Sequence, residues 1–194
     1  MASLNNLVFS EPKPNRSGGQ QIFLNYKNVP HDQSKLAIQL PKSKVPFGVT
    51  SYNSNKSLSI QICDTNLETF FYELDTLIKS NAKQNSFKWF KKSMHETVLE
   101  ELYKPQIKQN KNFPPLISVK IPNKFDDIYD SNNTKILVDA IQSKDFVETE
   151  LVNNGIYFIN SSFGTSWKLQ KLIVHKSHEN AIKGYSFLDD DEDV

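Results

Sequence analysis

The sequence predicts a mainly β protein with two inserted helices, and three observations lead to this class. Apolar and polar residues alternate in short segments near the start of the chain and through its second half, as in strands with one buried face. Between these blocks, apolar residues recur at the spacing of amphipathic helices. Helices and strands do not alternate regularly, which argues against a doubly wound parallel sheet and favours a small antiparallel barrel with helical insertions.

The first strand segments form a meander that we expect to begin near Gln20. Residues 1–19 are rich in Pro, Asn, Ser and Gly, which predicts a flexible N-terminal arm. Alternation follows in QQIFLNYKN, KLAIQLP and SLSIQIC, with a turn-rich segment between the last two. Cys63 ends the third segment, where we predict a small buried residue rather than a reactive thiol.

Two helices are predicted between the strand blocks. The apolar face of the first contains Leu67, Phe70, Phe71, Leu74, Leu77 and Ile78. Either Asp64 or Thr65 can cap its start, and Thr65 with Glu68 has the spacing of a capping box. The second helix is predicted over residues 87–103, because Pro105 prevents its continuation. Its apolar face contains Phe87, Phe90, Met94, Val98 and Leu102.

Strand patterns return after the helices. They are LISVKIP, KILVDAI, FVETELV, GIYFIN and SWKLQKLIV. Among small barrels, the OB-fold is a platform for nucleic acid. We therefore predict an OB-like antiparallel barrel over residues 20–176, followed by a flexible acidic tail over residues 177–194.

Charge is unevenly distributed along the chain. The 23 Lys and Arg residues nearly balance the 22 Asp and Glu residues. Five of these acids are consecutive, Asp189, Asp190, Asp191, Glu192 and Asp193, and the 17 that remain leave a body with six excess positive charges. Ten lysines against three acids lie between Lys79 and Lys124. Such a segment attracts polyanions, unless it is simply a solvated lysine face.

Membrane, metal and nucleotide signals are weak. No stretch is long enough to cross a bilayer and the N-terminus lacks the features of a signal peptide, so we expect an intracellular protein without membrane contact. The four histidines are scattered and Cys63 has no spaced partner, which predicts neither structural zinc nor a cofactor. The glycine-rich phosphate-binding motifs are absent from the sequence.

An enzyme is the less favoured reading. A nuclease or another phosphoryl-transfer enzyme would need clustered acids, and Asp126, Asp127 and Asp130 are the candidates for holding Mg²⁺. A solvated loop is the expected alternative for these residues. We therefore predict that the protein is not an enzyme.

Aromatic residues are interleaved with lysines between residues 87 and 125, and this mixture predicts binding to single-stranded nucleic acid. Unpaired bases stack on flat rings, while mobile cations contact the phosphates. The predicted phosphate contacts are Lys88, Lys91, Lys92, Lys104, Lys108, Lys111 and Lys120. The predicted stacking residues are Trp89, Tyr103 and Phe113, and Trp89 points away from the apolar stripe of its helix. Alternation does not say which of these share a face.

The acidic run at residues 189–193 suggests self-competition. A strip of carboxylates imitates the charge density of a nucleic-acid backbone, so it can occupy the basic groove until a strand displaces it. Two alternatives remain open. The run could be a solubilising terminus, or the protein could be an interaction adaptor that uses the acids to bind a basic partner.

Several pieces of sequence, in their order along the chain, carry a family resemblance. They are LAIQLPKSKVPFGVTSYN, YKPQIK with NFPPLISVKIP, and GTSWKLQKLIV followed by GYSFLDDDEDV. In these the chain resembles the single-stranded DNA-binding proteins of large nucleocytoplasmic DNA viruses, which are related to a phage OB-fold replication protein with an acidic C-terminal tail. It departs from the phage pattern by ending in Val194 instead of an aromatic residue.

The resemblance implies a role in viral DNA replication or recombination. Such a protein coats exposed DNA strands, forms dimers or larger homo-oligomers, and contacts a replicative polymerase or helicase through its tail. The implied location is the host cytoplasm or nucleus, at sites of viral DNA replication.

Overall fold

The computed structural model describes residues 4–15, 19–30 and 34–177, so the acidic run at 189–193 lies outside the described residues. The first strands are β1 (Leu7–Phe9), β2 (Lys13–Pro14), β3 (Gln20–Ile22), β4 (Leu24–Tyr26), β5 (Ala37–Lys44), β6 (Val49–Tyr52) and β7 (Asn55–Gln61). The helices that follow are α1 (Thr65–Gln84), α2 (Ser86–Phe90) and α3 (Glu96–Leu102). The later strands are β8 (Tyr103–Lys104), β9 (Ile107–Asn110), β10 (Phe113–Ile121), β11 (Ile128–Asp130), β12 (Phe146–Ile159) and β13 (Ser162–His175). The predicted mainly β class with inserted helices is confirmed.

One large sheet organises the molecule around the long hairpin β12–β13. Its main path is β2-β3-β12-β13-β10-β7-β6, and β5, β8, β9 and β11 join it from the sides. The ends of this path do not pair with each other in the described residues, so the sheet stays open where we predicted a closed barrel. Most pairs are antiparallel, but β13 pairs in parallel with β8, β10 and β11. Alternation along a strand does not reveal the direction of its neighbour.

Strand pairing begins before Gln20. β1 pairs antiparallel with β4, with Phe9 opposite Leu24, and β2 pairs with β3. The ring of Phe9 packs against Trp89, with 5.9 Å between the ring centroids. The predicted flexible arm over residues 1–19 is therefore wrong for strands β1 and β2, because apolar side chains in this segment pack against the core.

Helix α1 confirms the first predicted helix. Of the two candidate caps, Asp64 is the one used, and its carboxylate accepts hydrogen bonds from the N–H groups of Asn66 at 2.8 Å and Leu67 at 3.2 Å. The apolar face of the helix packs on the inner face of the sheet. Phe71 meets Trp167 of β13 edge to face, with 5.9 Å between the ring centroids.

A buried polar network ties α1 to the strands. Asp75, on the buried face of α1, accepts hydrogen bonds from the Tyr103 hydroxyl at 2.5 Å and the Gln106 side-chain amide at 2.6 Å. The Gln106 carbonyl oxygen accepts a hydrogen bond from the Trp167 indole at 2.6 Å. Burial raises the pKa of Asp75 above its ordinary value, and these hydrogen bonds oppose the rise. The network satisfies polar groups that would otherwise be costly inside the core.

The second predicted helix is wrong in its continuity. It is divided into α2 and α3, because Lys91 adopts a left-handed backbone conformation with φ of 61° and ends α2. The break changes the helical phase between α2 and α3, and Val98 is 40% exposed although it was predicted on the apolar face. Phe87, also predicted on that face, is 69% exposed, because α2 buries Ser86 and Trp89 instead. His95 caps α3 by accepting a hydrogen bond from the N–H group of Thr97.

The position of Cys63 differs from the prediction. Cys63 is exposed, which corrects its predicted burial, because Leu58, Ile60 and Ile62 take the buried positions of the alternation and Cys63 falls on the opposite phase. Among the described residues, no helix combines the length and apolar character needed to cross a membrane.

Candidate nucleic-acid interface

The outer face of the sheet is polar where β7, β10 and β13 lie side by side. On β10, Ile117, Val119 and Ile121 are buried in the core, whereas Ser118 and Lys120 between them are exposed. Side chains alternate between the two faces of a strand, so Ser118 and Lys120 project from the opposite face.

Two lysines lie next to each other on this outer face. Lys120 is opposite Lys168 in the parallel pair β10–β13, and opposite Ser57 in the antiparallel pair β10–β7. Neither lysine has a carboxylate partner among the described residues. Neighbouring strands lie only about 4.8 Å apart, so these like charges repel each other. An anion bound by both ammonium groups would remove this repulsion.

The two lysines line a concave surface that extends over β6, β7, β10, β12 and β13. It encloses a volume of about 600 Å³. We call this surface the lysine groove. Its outer-face cations are Lys120 and Lys168, its hydroxyl groups include Ser57, Ser118 and Ser166, its amides include Asn55, Asn123 and Asn154, and its exposed ring is Tyr52. Lys56 is opposite the buried Ile121, so it leaves β7 on the core-facing side and lines only the edge of the groove. Cations, small polar donors and one ring are the groups that phosphates and unpaired bases bind.

The hairpin β6–β7 presents Tyr52 at the groove. Asn53 and Ser54 both have positive φ angles, 45° and 64°, which fit the two-residue turn that connects tightly paired antiparallel strands. Tyr52 lies two residues after Thr50, whose hydroxyl is 2.9 Å from that of Ser57 on the outer face. Tyr52 therefore projects from the same face, and it is 79% exposed.

Lys56 is the one lining lysine that has an acid partner in the described structure. Its ammonium group is 2.5 Å from the carboxylate of Asp139, which lies on a 3-10 turn at Val138–Ala140. Both side chains are well exposed, so this pair contributes little to stability and can exchange with another anion.

Two predicted lysines share the outer face. Lys120 lines the lysine groove, and Lys108 is opposite Leu116 in the pair β9–β10, which places it on the face that carries Ser118 and Lys120. Lys111 and the 64% exposed Phe113 lie at the turn of the β9–β10 hairpin, toward the other end of β10.

The other predicted lysines lie on different surfaces. Lys88 forms an ion pair with Glu11 at 2.5 Å, and Lys91 follows it at the end of α2. Lys92 lines a separate cavity of about 280 Å³, and Lys104 lies on β8 beside Gly164. The structure therefore does not bring all seven predicted lysines together.

Two of the three predicted stacking residues are corrected. Trp89 is 2% exposed and Tyr103 is 5% exposed, so their rings belong to the core and are closed to bases. Trp89 packs against Phe9 and Phe158, because the N-terminal strand covers the side of α2 that we predicted to face solvent. Burial and the neighbouring Asp75 raise the pKa of Tyr103. Phe113 remains available.

Sequence reasoning missed Tyr52, Lys56 and Lys168. They lie outside the lysine-rich segment from which the candidates were chosen. A signal was present, because Lys120 and Lys168 are both polar positions of alternating strands, in SVKIP and SWKLQK. Once two such strands are known to belong to one sheet with a single buried face, their polar positions share the other face whatever their separation along the chain.

The acids considered for Mg²⁺ do not form a metal site. Asp126 pairs with Lys135 at 3.1 Å, and the Asp130 carboxylate accepts hydrogen bonds from the N–H groups of Asn132 and Thr134. Across residues 4–15, 19–30 and 34–177, no group of three or more His, Cys, Asp or Glu is placed to hold a metal ion.

Three solved structures of one bacteriophage protein have a similar fold. The full-length "Single-stranded DNA-binding protein from bacteriophage Enc34" matches with a TM-score of 0.52 and 13% identity, over 96% of this chain and 96% of that chain. Its C-terminal truncation matches with a TM-score of 0.51 and 12% identity, over 92% and 99%. The same protein in complex with ssDNA also has a TM-score of 0.51 and 12% identity, over 91% and 98%. The OB-like fold is thus confirmed.

The sequence comparisons identify a family model but no curated relative. No curated protein matches the chain. The comparisons support the fold of a phage single-stranded DNA-binding protein, and they do not reach the family of large nucleocytoplasmic viruses named by the sequence resemblance. A family model described as "Family of unknown function (DUF5871)" matches residues 48–189. Because this match spans more than half of the sequence, the chain belongs to the DUF5871 family.

Proposed function

We propose that this chain binds single-stranded DNA in the lysine groove, without preference for base sequence. Lys120 and Lys168 contact phosphates, and a base stacks on the ring of Tyr52. The serine and asparagine side chains of the groove bind phosphate and sugar oxygens, which positions a strand without reading its bases.

One observation carries this proposal. Lys120 and Lys168 are in register on neighbouring strands, lack acid partners in the described residues and line the same concave surface as an exposed ring. A pair of uncompensated cations beside a ring fits a phosphate followed by an unpaired base. The likeness of the fold to phage single-stranded DNA-binding proteins supports the same ligand.

A single strand fits this surface better than a duplex. Stacking on Tyr52 requires a base whose face is free, and in a duplex the base faces are covered by neighbouring base pairs. The affinity for a single strand therefore exceeds the affinity for a duplex of equal length.

The resemblance to viral single-stranded DNA-binding proteins supports a more specific role in the cell. The protein coats exposed strands during viral-type DNA replication or recombination, self-associates on them, and recruits a polymerase or helicase through the acidic residues 189–193. These acids compete with DNA for the lysines of the groove. An adaptor that binds a basic partner through its acids is the alternative, and it would show no strand preference.

Titration with labelled oligonucleotides tests the proposal. We expect wild-type protein to bind dT12 more tightly than a 12-base-pair duplex, with and without Mg²⁺ and without cleavage. The double variant Lys120→Ala with Lys168→Ala should lower the slope of log affinity against log salt by about 1.4, or about 0.7 for each phosphate contact. The control double variant Lys27→Ala with Lys135→Ala removes the same charge from exposed lysines outside the groove. Equal slopes for the two double variants would refute the site.

A further inference from the structure

The strand β10 connects the lysine groove to a second set of exposed groups. Across the outer face, Lys120 shares a row with Ser57 and Lys168, while Leu116, four residues earlier, shares a row with Gln61 and Lys108. Rows two residues apart are separated by about 6.8 Å along the strand, so these two rows lie about 13 Å from each other. The outer face is thus continuous between them.

Beyond the Leu116 row, the hairpin β9–β10 offers a second exposed ring. Phe113 is 64% exposed, and Lys111 in the turn is exposed beside it. The register between β9 and β10 shifts between Phe113 and Leu116, so β10 has one more residue than β9 there. Such a bulge redirects side chains at the end of a strand.

The hairpin is held in place from its other side. Gln109 donates hydrogen bonds to the Glu68 carboxylate at 3.0 Å and to the Tyr72 hydroxyl, and both partners lie on α1. Adjacent residues of a strand point to opposite faces, so this attachment leaves Lys108 on the outer face. Lys108 has no acid partner in the described part of the chain.

We propose that bound single-stranded DNA runs along β10 from Tyr52 to Phe113, with one base stacked on each ring and with Lys108 as a phosphate contact between them. This path rests on the proposed function, because it extends the lysine groove and does not replace it. Its length is about 30 Å at a strand rise of about 3.3 Å per residue. A strand that rises about 3.4 Å per stacked nucleotide, or more when unstacked, needs more than four nucleotides to reach both rings, whereas dT4 occupies only one end. The end with Tyr52, Lys120 and Lys168 is preferred by a short strand.

Oligonucleotide length provides the test. With dT12, Phe113→Ala should weaken binding at least about fivefold, since stacking on one ring contributes about 1–3 kcal/mol per base. Lys108→Ala should reduce the salt slope for dT12 by about 0.7. With dT4, neither variant should change affinity or slope, whereas Tyr52→Ala should weaken both oligonucleotides. Phe87→Ala is the control, because Phe87 is an equally exposed ring on α2, away from this face.

The measurements distinguish failure of the path along β10 from failure of the lysine groove itself. If wild-type protein binds dT4 and dT12 through Lys120 and Lys168 but Phe113→Ala changes neither, or changes both equally, the path along β10 is refuted while the groove stands. If wild-type binding does not depend on Lys120 and Lys168 at all, the proposed function fails and the path fails with it. Phe113 is exposed, so its replacement should preserve the fold, and a circular dichroism spectrum identical to that of the wild type checks this.

Discussion

At the scale of single residues, the groove depends on how its charges are paired. Lys120 and Lys168 lack carboxylate partners in the described residues, whereas Lys56 is neutralised by Asp139. An exposed ion pair is worth at most about 1 kcal/mol, so a phosphate can replace Asp139 on Lys56. The free groove therefore presents two cations to DNA at first and gains a third when this pair opens.

Removing the partner of Lys56 should strengthen DNA binding. In Asp139→Asn, Lys56 is free before DNA arrives, so affinity for dT12 should rise and the salt slope should increase by about 0.7. Asp126→Asn is the matched control, because it frees Lys135 outside the groove. Salt titrations by fluorescence anisotropy measure both quantities. Similar gains in the two variants would mean that only the overall charge matters.

The buried carboxyl group of Asp75 should make stability depend on pH. Burial raises its pKa in the folded state, so the folded protein binds this proton more tightly than the unfolded chain does. As pH falls from the raised pKa toward the ordinary value of 3.8, the free energy of unfolding of the wild type should increase relative to that of Asp75→Asn. Urea unfolding of both proteins from pH 7 to pH 4 measures this difference. A difference that stays constant or reverses would contradict the pKa shift.

At the scale of elements, local signals predicted some structures well and others poorly. The length and apolar face of α1 follow from its spacing and from the cap at Asp64. The second helix was misjudged, because the left-handed conformation of Lys91 is not encoded by a glycine or proline at that position. Parallel pairing of β10 with β13 joins segments almost fifty residues apart, and no local pattern specifies such a partner.

The bulge in β12 requires glycine at position 155. Gly155 has φ of 85°, and a Cβ atom there would lie 2.6 Å from the backbone oxygen of Ile22. Gly155→Ala should therefore lower the free energy of unfolding by at least about 1–3 kcal/mol. Gly19→Ala is the control, since the atoms nearest to its Cβ would belong to the side chain of Asn15 and not to the backbone. Urea unfolding of both variants tests this, and equal stability would contradict the strain at Gly155.

At the scale of the whole molecule, the fold separates two basic surfaces. The lysine groove lies on the outer face of the sheet, whereas Lys88, Lys91 and Lys92 belong to the helical insertion. The sequence predicted the OB-like architecture, because the alternation of apolar and polar residues is visible without knowledge of contacts. The ligand class stays a prediction. The sequence did not predict the site itself, because Lys168 joins Lys120 only through strand pairing.

The chain after Ser177 is long enough for the proposed competition by the acidic residues 189–193, which lie outside the described residues. Lys168 lies nine residues before Ser177, which is at most about 30 Å along β13 and the two residues after it. The eleven residues between Ser177 and Asp189 can extend to about 36 Å. Removing residues 189–193 should therefore tighten binding of dT12 at low salt, and the gain should shrink at high salt because the competition is electrostatic. Unchanged affinity at low salt would argue against competition by these acids.

The location of bound DNA tests the central claim most directly. Photocrosslinking of dT12 that contains 5-iodouracil, followed by mass spectrometry of peptides, identifies the rings that contact bases. We predict crosslinks at Tyr52 on the rim of the lysine groove and at Phe113. Crosslinks confined to Phe87 and its neighbours on the helical insertion would contradict the assignment of the DNA site to the sheet.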